Sequence, residues 1–333
     1  MQNNDLDIIA VGDTVVDAFI KLVDAHLEEA DHINNEEQQL CMPFASKIPY
    51  ESVTVIPAVG NSANAAVAAT RLGLKTAIVT FLGNDINGRE CKFAFENENI
   101  ATDYVIMENG KFTNYHYVLW FKDERTILIK HETFKAYLPE ISKPKWIYLS
   151  SLGEHAKDLH FEIAAYLTKN PEVKLAFQPG TFQIKMGTEM LKDIYSHTEF
   201  FCCNVEEAQK ILNIESRDAP TLLKGLQDLG PKIVSVTDGK KGAFMRTGED
   251  NYFMPIYPDE KPPYERTGAG DAFCSTFVSA LALGKTPVEA LTWGPVNSMN
   301  VVQYVGAQKG LLKQPDIEAC IARAPNTYFP IKL

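Results

Sequence analysis

The run Thr267-Gly268-Ala269-Gly270-Asp271 places two glycines and a carboxylate at the mouth of an apolar helix. Behind it, Phe273, Phe277, Ala280 and Leu281 recur at helical spacing through 272–283, and Gly284 can end the helix. A glycine pair at a helix start lets backbone N–H groups converge on one point, where the helix dipole adds positive potential. That point suits an anion such as a transferring phosphoryl group. Asp271 lies within reach of it and could take a proton from an attacking hydroxyl. Phosphoryl transfer asks for little beyond positioning and charge neutralisation. A plain helix cap with an acidic residue favouring the dipole explains the same five residues equally well.

Four other constellations could do chemistry. Val59-Gly60-Asn61-Ser62-Ala63-Asn64 opens an Ala-rich helix, and its two asparagines offer the mixed donors and acceptors that sugar hydroxyls need. Simple N-capping by Asn61 or Ser62 is the structural alternative. Gly12 closes the first apolar run, and Asp17 follows five residues on, interrupting an apolar stretch. Burying an unpaired carboxylate is costly, which favours a ligand-facing position. Asn204-Val205-Glu206-Glu207 can close a capping box, and the same amide and carboxylate could stand near a hydrated magnesium ion. Thr237-Asp238-Gly239-Lys240-Lys241-Gly242 joins two strands, either covering a nucleotide or serving as a plain hairpin turn.

Other patterns lead nowhere. Gly268-Ala269-Gly270 is not a dinucleotide fingerprint, because Phe273 holds the third glycine position. Gly284-Lys285-Thr286 lacks the leading glycine of a P-loop, and Thr286-Pro287-Val288-Glu289 reads as a capping box. Seven histidines show no metal-ligand spacing. The six cysteines show none either. Packing is the expected role of Cys202-Cys203, and the pattern suits a reducing cytosol, so a cytoplasmic location is expected.

Short apolar runs must position these residues. They occur at Asp7–Gly12, Thr76–Leu82, Trp146–Leu149, Lys174–Phe177, Phe200–Cys203 and Ile233–Thr237, and they read as strands buried on both faces. Helical patterns alternate with them at Ser62–Leu72, Asn87–Asn97, His155–Thr168, Lys185–Tyr195, Val205–Leu212 and Thr221–Leu229. This alternation predicts a three-layer α/β/α domain with a mainly parallel sheet, whose ligands bind beyond the carboxyl ends of the strands. Val15–Lys21, Thr102–Met107, Tyr115–Phe121 and Thr126–Lys130 break the alternation. They predict a small β-sheet lid, built from about 15–57 and 100–131, which could also mediate dimerisation. The acidic stretch from Asp24 to Ile56, with Glu28, Glu29, Asp31, Glu36 and Glu37, reads as a long loop.

The whole chain of 333 residues is 45% hydrophobic and 23% charged, the balance of a globular protein with a sizeable core. Its net charge of −11 argues against nucleic acid and anionic membranes as partners. No stretch approaches the roughly 18 apolar residues of a membrane span, and the polar start Met1–Asp5 is no signal peptide.

In order, these elements resemble the ribokinase-like (PfkB-type) carbohydrate kinase family. The most specific marks are Gly60–Asn64 leading to Arg71-Leu72-Gly73, the Leu82-Gly83-Asn84-Asp85 stretch with Gly88, and Thr267–Asp271. The resemblance implies an ATP- and magnesium-dependent kinase acting on a sugar or nucleoside hydroxyl. It implies Asp271 as base, Gly268, Ala269, Gly270 and Asp271 as the anion hole, and Asp17, Gly60, Asn61 and Asn64 on the acceptor. Asn204, Thr237, Gly239, Gly242 and Asn297 fall on the nucleotide side, with Glu207 on magnesium through water. Stacking of a nucleoside base would call on aromatics such as Phe19, Phe44, Tyr117 and Trp120. Two departures stand out. Val59 replaces the first glycine of the family's pair, and Glu265-Arg266 stands where an Asp usually sits. In many members that Asp belongs to a monovalent-cation site, so potassium dependence is left open.

Overall fold

The computed structural model describes residues 6–29, 38–122, 124–259 and 261–333. Strand β1 (Ile8–Val11) leads to β2 (Val15–Leu22), the hairpin strands β3 (His26–Glu29) and β4 (Gln38–Cys41), and β5 (Tyr50–Val59). Helix α1 (Asn61–Arg71), β6 (Thr76–Gly83), α2 (Ile86–Asn97) and β7 (Val105–Glu108) follow. Next come β8 (Asn114–Phe121), β9 (Glu124–Leu128), β10 (Trp146–Leu149), α3 (Lys157–Lys169) and β11 (Lys174–Phe177). Short helices α4 (Thr181–Met186) and α5 (Lys192–His197) precede β12 (Thr198–Asn204), α6 (Val205–Leu212), α7 (Ala219–Asp228) and β13 (Ile233–Thr237). The chain closes with β14 (Ala243–Thr247), β15 (Asp250–Met254), α8 (Ala269–Ala282), α9 (Pro287–Val301), α10 (Gln314–Ala322) and β16 (Ile331–Lys332).

The main sheet runs β16-β15-β14-β13-β12-β11-β10-β1-β6-β7. From β13 to β7 every pairing is parallel, and β14, β15 and β16 add an antiparallel edge. Continuous apolar runs such as Ile8–Val11 and Trp146–Leu149 are fully buried because helices cover both faces. One core layer holds α1, α8 and α9 residues, including Ala66, Phe277 and Val296. The opposite layer holds Leu159, Leu222 and Phe201. The alanines of α1 are small enough to let this helix approach the sheet and α8 closely. The strand order reverses at β1, which lies between β10 and β6, and crevices open at such points.

A second sheet, in the order β5-β2-β8-β9, stands beside the first. Its make-up corrects the expected one. The 102–107 segment forms β7, which pairs with β6 in the main sheet, because its residues continue the register Thr80↔Val105 to Gly83↔Glu108. The expected 24–56 loop contains the β3–β4 hairpin and β5, where Val53, Thr54, Val55 and Ile56 supply a β-branched run. Asp31, Glu36 and Glu37 of that stretch, Asp123 and the Met1–Asp5 start lie outside the described residues. The single helix expected over 185–195 is two, broken at Gly187 with φ 82°. Cys202 and Cys274 form a disulfide joining β12 to α8, which corrects the packing role expected of Cys202; 72 residues separate them in sequence. Among the described residues no helix is long and apolar enough to cross a membrane.

Candidate active site

The carboxyl ends of β1, β11, β12 and β13 converge with the start of α8 on a cleft of about 800 Å³. Asp13, Gln178, Asn204 and Thr237 line it, each at or just past the end of its strand. Asp17 and His116 reach it from the second sheet, where they face each other in register on β2 and β8. The cleft therefore lies where the fold predicts a ligand.

Gly268 caps α8 in the left-handed conformation, with φ 85°. An added Cβ there would stand 2.4 Å from the Ala307 Cβ, so only glycine fits. The first helical hydrogen bond runs from Ala272 N to Gly268 O at 2.8 Å, leaving the amides of Ala269, Gly270 and Asp271 at the helix mouth. A Cβ on Gly270 would meet no protein atom within 4 Å. Gly270 lines the cleft.

Asp271 is held from three directions. Asn61 Nδ2 and Gln178 Nε2 donate to Oδ1 at 2.9 and 3.0 Å, and Asn64 Nδ2 donates to Oδ2 at 2.8 Å. Two of the three amides are oriented in turn. Tyr148 Oη donates to Gln178 Oε1 at 2.5 Å, and Gln308 Nε2 donates to Asn64 Oδ1 at 3.0 Å. Burial pushes the Asp271 carboxyl above its ordinary pKa, against the pull of the three amides and of nearby Arg125. Burial and the Asp271 charge keep Tyr148 protonated far above neutrality, so it stays a donor. Glu207 is likewise pushed up, by burial first, with Asp271 adding to the shift.

Asn204 and Glu207 close the expected capping box: Glu207 N donates to Asn204 Oδ1 at 2.8 Å and Asn204 N to Glu207 Oε2 at 2.9 Å. Both also line the cleft. The Glu265 carboxylate, fully buried, accepts Thr267 N and Oγ1 at 2.8 and 2.6 Å and Gly306 N at 3.3 Å. It braces the turn that enters α8.

A second pocket of about 270 Å³ adjoins the cleft. Gly239 and Gly242 line it, with Ile256, Phe273 and Met299 as apolar walls. Thr237, Arg266, Ala269 and Gly270 belong to both cavities. Asn297 belongs to neither, which corrects the expected nucleotide contact. It is fully buried, its Nδ2 donates to Thr276 Oγ1 at 2.7 Å and its Oδ1 accepts Leu312 N at 2.9 Å. The neighbouring Ser298 lines the pocket instead.

The sequence pattern of the pfkB family carbohydrate kinases matches residues 24–314. The chain belongs to this family. It is a carbohydrate kinase of the pfkB type, with a ribokinase-like fold. The pfkB-family kinase is 27% identical over 291 residues to a ribokinase of Haemophilus influenzae, covering 83% of this chain and 92% of the relative. It is 28% identical over 275 residues to an ATP-dependent 6-phosphofructokinase of Thermoanaerobacterium thermosaccharolyticum, covering 78% and 82%. The nucleoside kinase of Methanocaldococcus jannaschii shares the fold at a TM-score of 0.75 and 19% identity, over 96% of this chain and 99% of that one. Acceptors therefore differ among the relatives of this kinase, and its own side chains must decide.

Sequence reading of the kinase missed Gln178, Tyr148, Gln308, Asp13 and His116. Position offered a signal for two of them: Gln178 follows β11 directly, and Asp13 stands two residues past β1. Of the aromatics considered for a nucleoside base, none lines the cleft. Phe19 is buried, Phe44 is 98% exposed, Tyr117 is exposed, and Trp120 packs edge-on against Tyr264. Phe182 does line it, beside the imidazoles of His116 and His131.

Proposed function

We propose that this protein moves the γ-phosphoryl group of Mg-ATP to a hydroxyl of a sugar, with Asp271 as base. The observation that carries this reading is the junction at Ala269 and Gly270, where one helix mouth opens on both the polar cleft and the apolar pocket. An acceptor in the cleft and a nucleotide base in the pocket would meet at that mouth. The amides of Gly268 to Asp271 then receive the charge of the transferring group.

Asp271 accepts the proton of the attacking hydroxyl. Its raised pKa brings it nearer the proton affinity a base needs at neutral pH, and Asn61, Asn64 and Gln178 fix its orientation. Asp17 and Gly60 hold other acceptor hydroxyls, while Thr237, Gly239 and Gly242 flank the nucleotide. Arg125, carried by β9, brings a positive charge to the same cleft. Magnesium fits here: Glu207, with Asn204 beside it, would hold the ion through water, its carboxylate and amide being the oxygen donors this ion prefers. When bound, the ion supplies further charge neutralisation to the phosphates.

The four-stranded sheet, built from residues 15–22, 50–59, 114–121 and 124–128, serves as a lid. Val53, Val55, Tyr117 and Leu128, which register places on one exposed face, suit a homodimer contact. A nucleoside acceptor is the second reading. Phe182 favours it, but a base sandwich needs a second ring.

ADP release with Mg-ATP against pentoses, hexoses, sugar phosphates and nucleosides tests the proposal. One strong sugar acceptor is expected. Acceptor-independent silence with ATP still bound contradicts it.

A further inference from the structure

Asp13 stands in the acceptor half of the cleft, 5% exposed. Its Oδ2 accepts Gly153 N at 2.7 Å, while its Oδ1 has no hydrogen-bond partner among the described residues. Two imidazoles approach it. His131 Nδ1 lies 3.7 Å from Oδ2, and His155 Nε2 lies 3.8 Å from Oδ1. Both nitrogens also lack a hydrogen-bond partner. A few ångströms on, His116 Nδ1 lies 3.5 Å from Asp17 Oδ1, with His116 Nε2 and Asp17 Oδ1 unpartnered as well.

Such a cluster needs an explanation. Buried polar atoms are nearly always hydrogen-bonded, because desolvation without compensation is costly. Separations of 3.5–3.8 Å are too long for direct bonds. A hydroxyl oxygen entering from the cleft can sit at about 2.8 Å from both atoms of such a pair and bond to each. The rings are not free to swing away. His131 packs edge-on against Phe182 and His116, and His155 against Phe134.

We propose that Asp13, His131 and His155, with the His116–Asp17 pair, form an acceptor subsite that reads uncharged hydroxyls. The inference rests on the kinase reading above and narrows its acceptor to a carbohydrate moiety with free hydroxyls at this end. Burial, reinforced by His116 and His155, holds His131 down to about 4, so near neutrality its ring offers one donor and one acceptor. Burial likewise lowers His155. Asp13, pushed up by burial to about 7, can accept or donate. A phosphate here would meet Asp13 and Asp17. Lys185, one of the cations lining the cleft with Arg125 and Arg266, is exposed above the Phe182 ring.

The test measures turnover with Mg-ATP on D-ribose, D-fructose, inosine and fructose 6-phosphate, then repeats it on the preferred acceptor and its deoxy analogues with Asp13→Asn, His131→Gln and His155→Gln. We expect an uncharged acceptor to be preferred. Its KM should rise about 10-fold or more in the variants while the ATP KM stays within about 2-fold, and discrimination against a deoxy analogue should shrink alongside. His131→Gln carries the test if Asp13→Asn fails to fold, since the His131 ring makes no hydrogen bond among the described residues. Unchanged acceptor KM, a parallel rise in both KM values, or a requirement for the phosphate of fructose 6-phosphate overturns the subsite and leaves the kinase standing. Silence on all four acceptors, with ATP bound, overturns the kinase reading and the subsite with it.

Discussion

Asn64 Nδ2 donates to Asp271 Oδ2 at 2.8 Å, across 207 residues of sequence. The bond joins the two glycine-containing helix starts, α1 and α8, at one carboxylate. Asn64 thus orients the proposed base rather than waiting free for an acceptor.

Removing that donor should act on the chemical step. Asn64→Ala is expected to lower kcat by about 10²-fold, with a smaller change in the ATP KM, because a mispositioned base is a weak one. Gln178→Ala should act in the same direction and less, since Asn61 still serves Oδ1. Steady-state kinetics on both variants checks this; a pure KM effect for Asn64→Ala would count against it.

The two glycines of the helix mouth should behave differently. Gly268→Ala forces a Cβ into Ala307 at a positive φ, so lower stability is expected. Gly270→Ala meets no protein atom, so Tm should hold while kcat falls by about 10-fold or more as the methyl intrudes on the phosphoryl position. Thermal melts beside kinetics separate the two.

Glu265 bears on potassium. Its carboxylate oxygens are taken up by Thr267 and Gly306, and Arg125 Nε lies 3.8 Å away. Turnover is therefore expected to change less than about 2-fold between potassium and tetramethylammonium salts, since the local field already carries a cation. A strong potassium requirement would show that another site serves the ion.

Much of this was legible in the sequence. Buried parallel strands announce themselves as apolar runs, and Gly60–Asn64 and Gly268–Asp271 announce helix starts, although the contacts that demand glycine at 60 and 268, with Asp13 and Ala307, are long-range. Long-range pairings do not. Nothing near Gln178 says that Tyr148 will fix its amide, and Asp13 and His131 meet only because β1 and the segment after β9 end at one cleft. Asn297 shows the converse: its helix borders the pocket, yet its side chain turns inward to Thr276. Cys202 and Cys274 likewise meet through topology.

Asp13 should also mark stability against pH. Its carboxyl is raised from 3.8 to about 7 on folding, so the folded state binds the proton more tightly. That contribution is fully present below pH 4 and is lost as pH climbs through 7. The isosteric Asp13→Asn escapes the loss. Its Tm relative to the parent should therefore rise between pH 5 and pH 8, by roughly 1–2 °C for each kcal/mol involved. A constant difference across that range would contradict the shift.

The most direct test of the account is ADP release by Asp271→Asn, measured with Mg-ATP and the acceptor the parent protein prefers. A drop in kcat of about 10³-fold or more is expected, with Tm and ATP affinity near those of the parent, because the variant keeps the shape and loses the base. Near-parental turnover in a folded Asp271→Asn protein would contradict the assignment of Asp271 as the group that takes the hydroxyl proton.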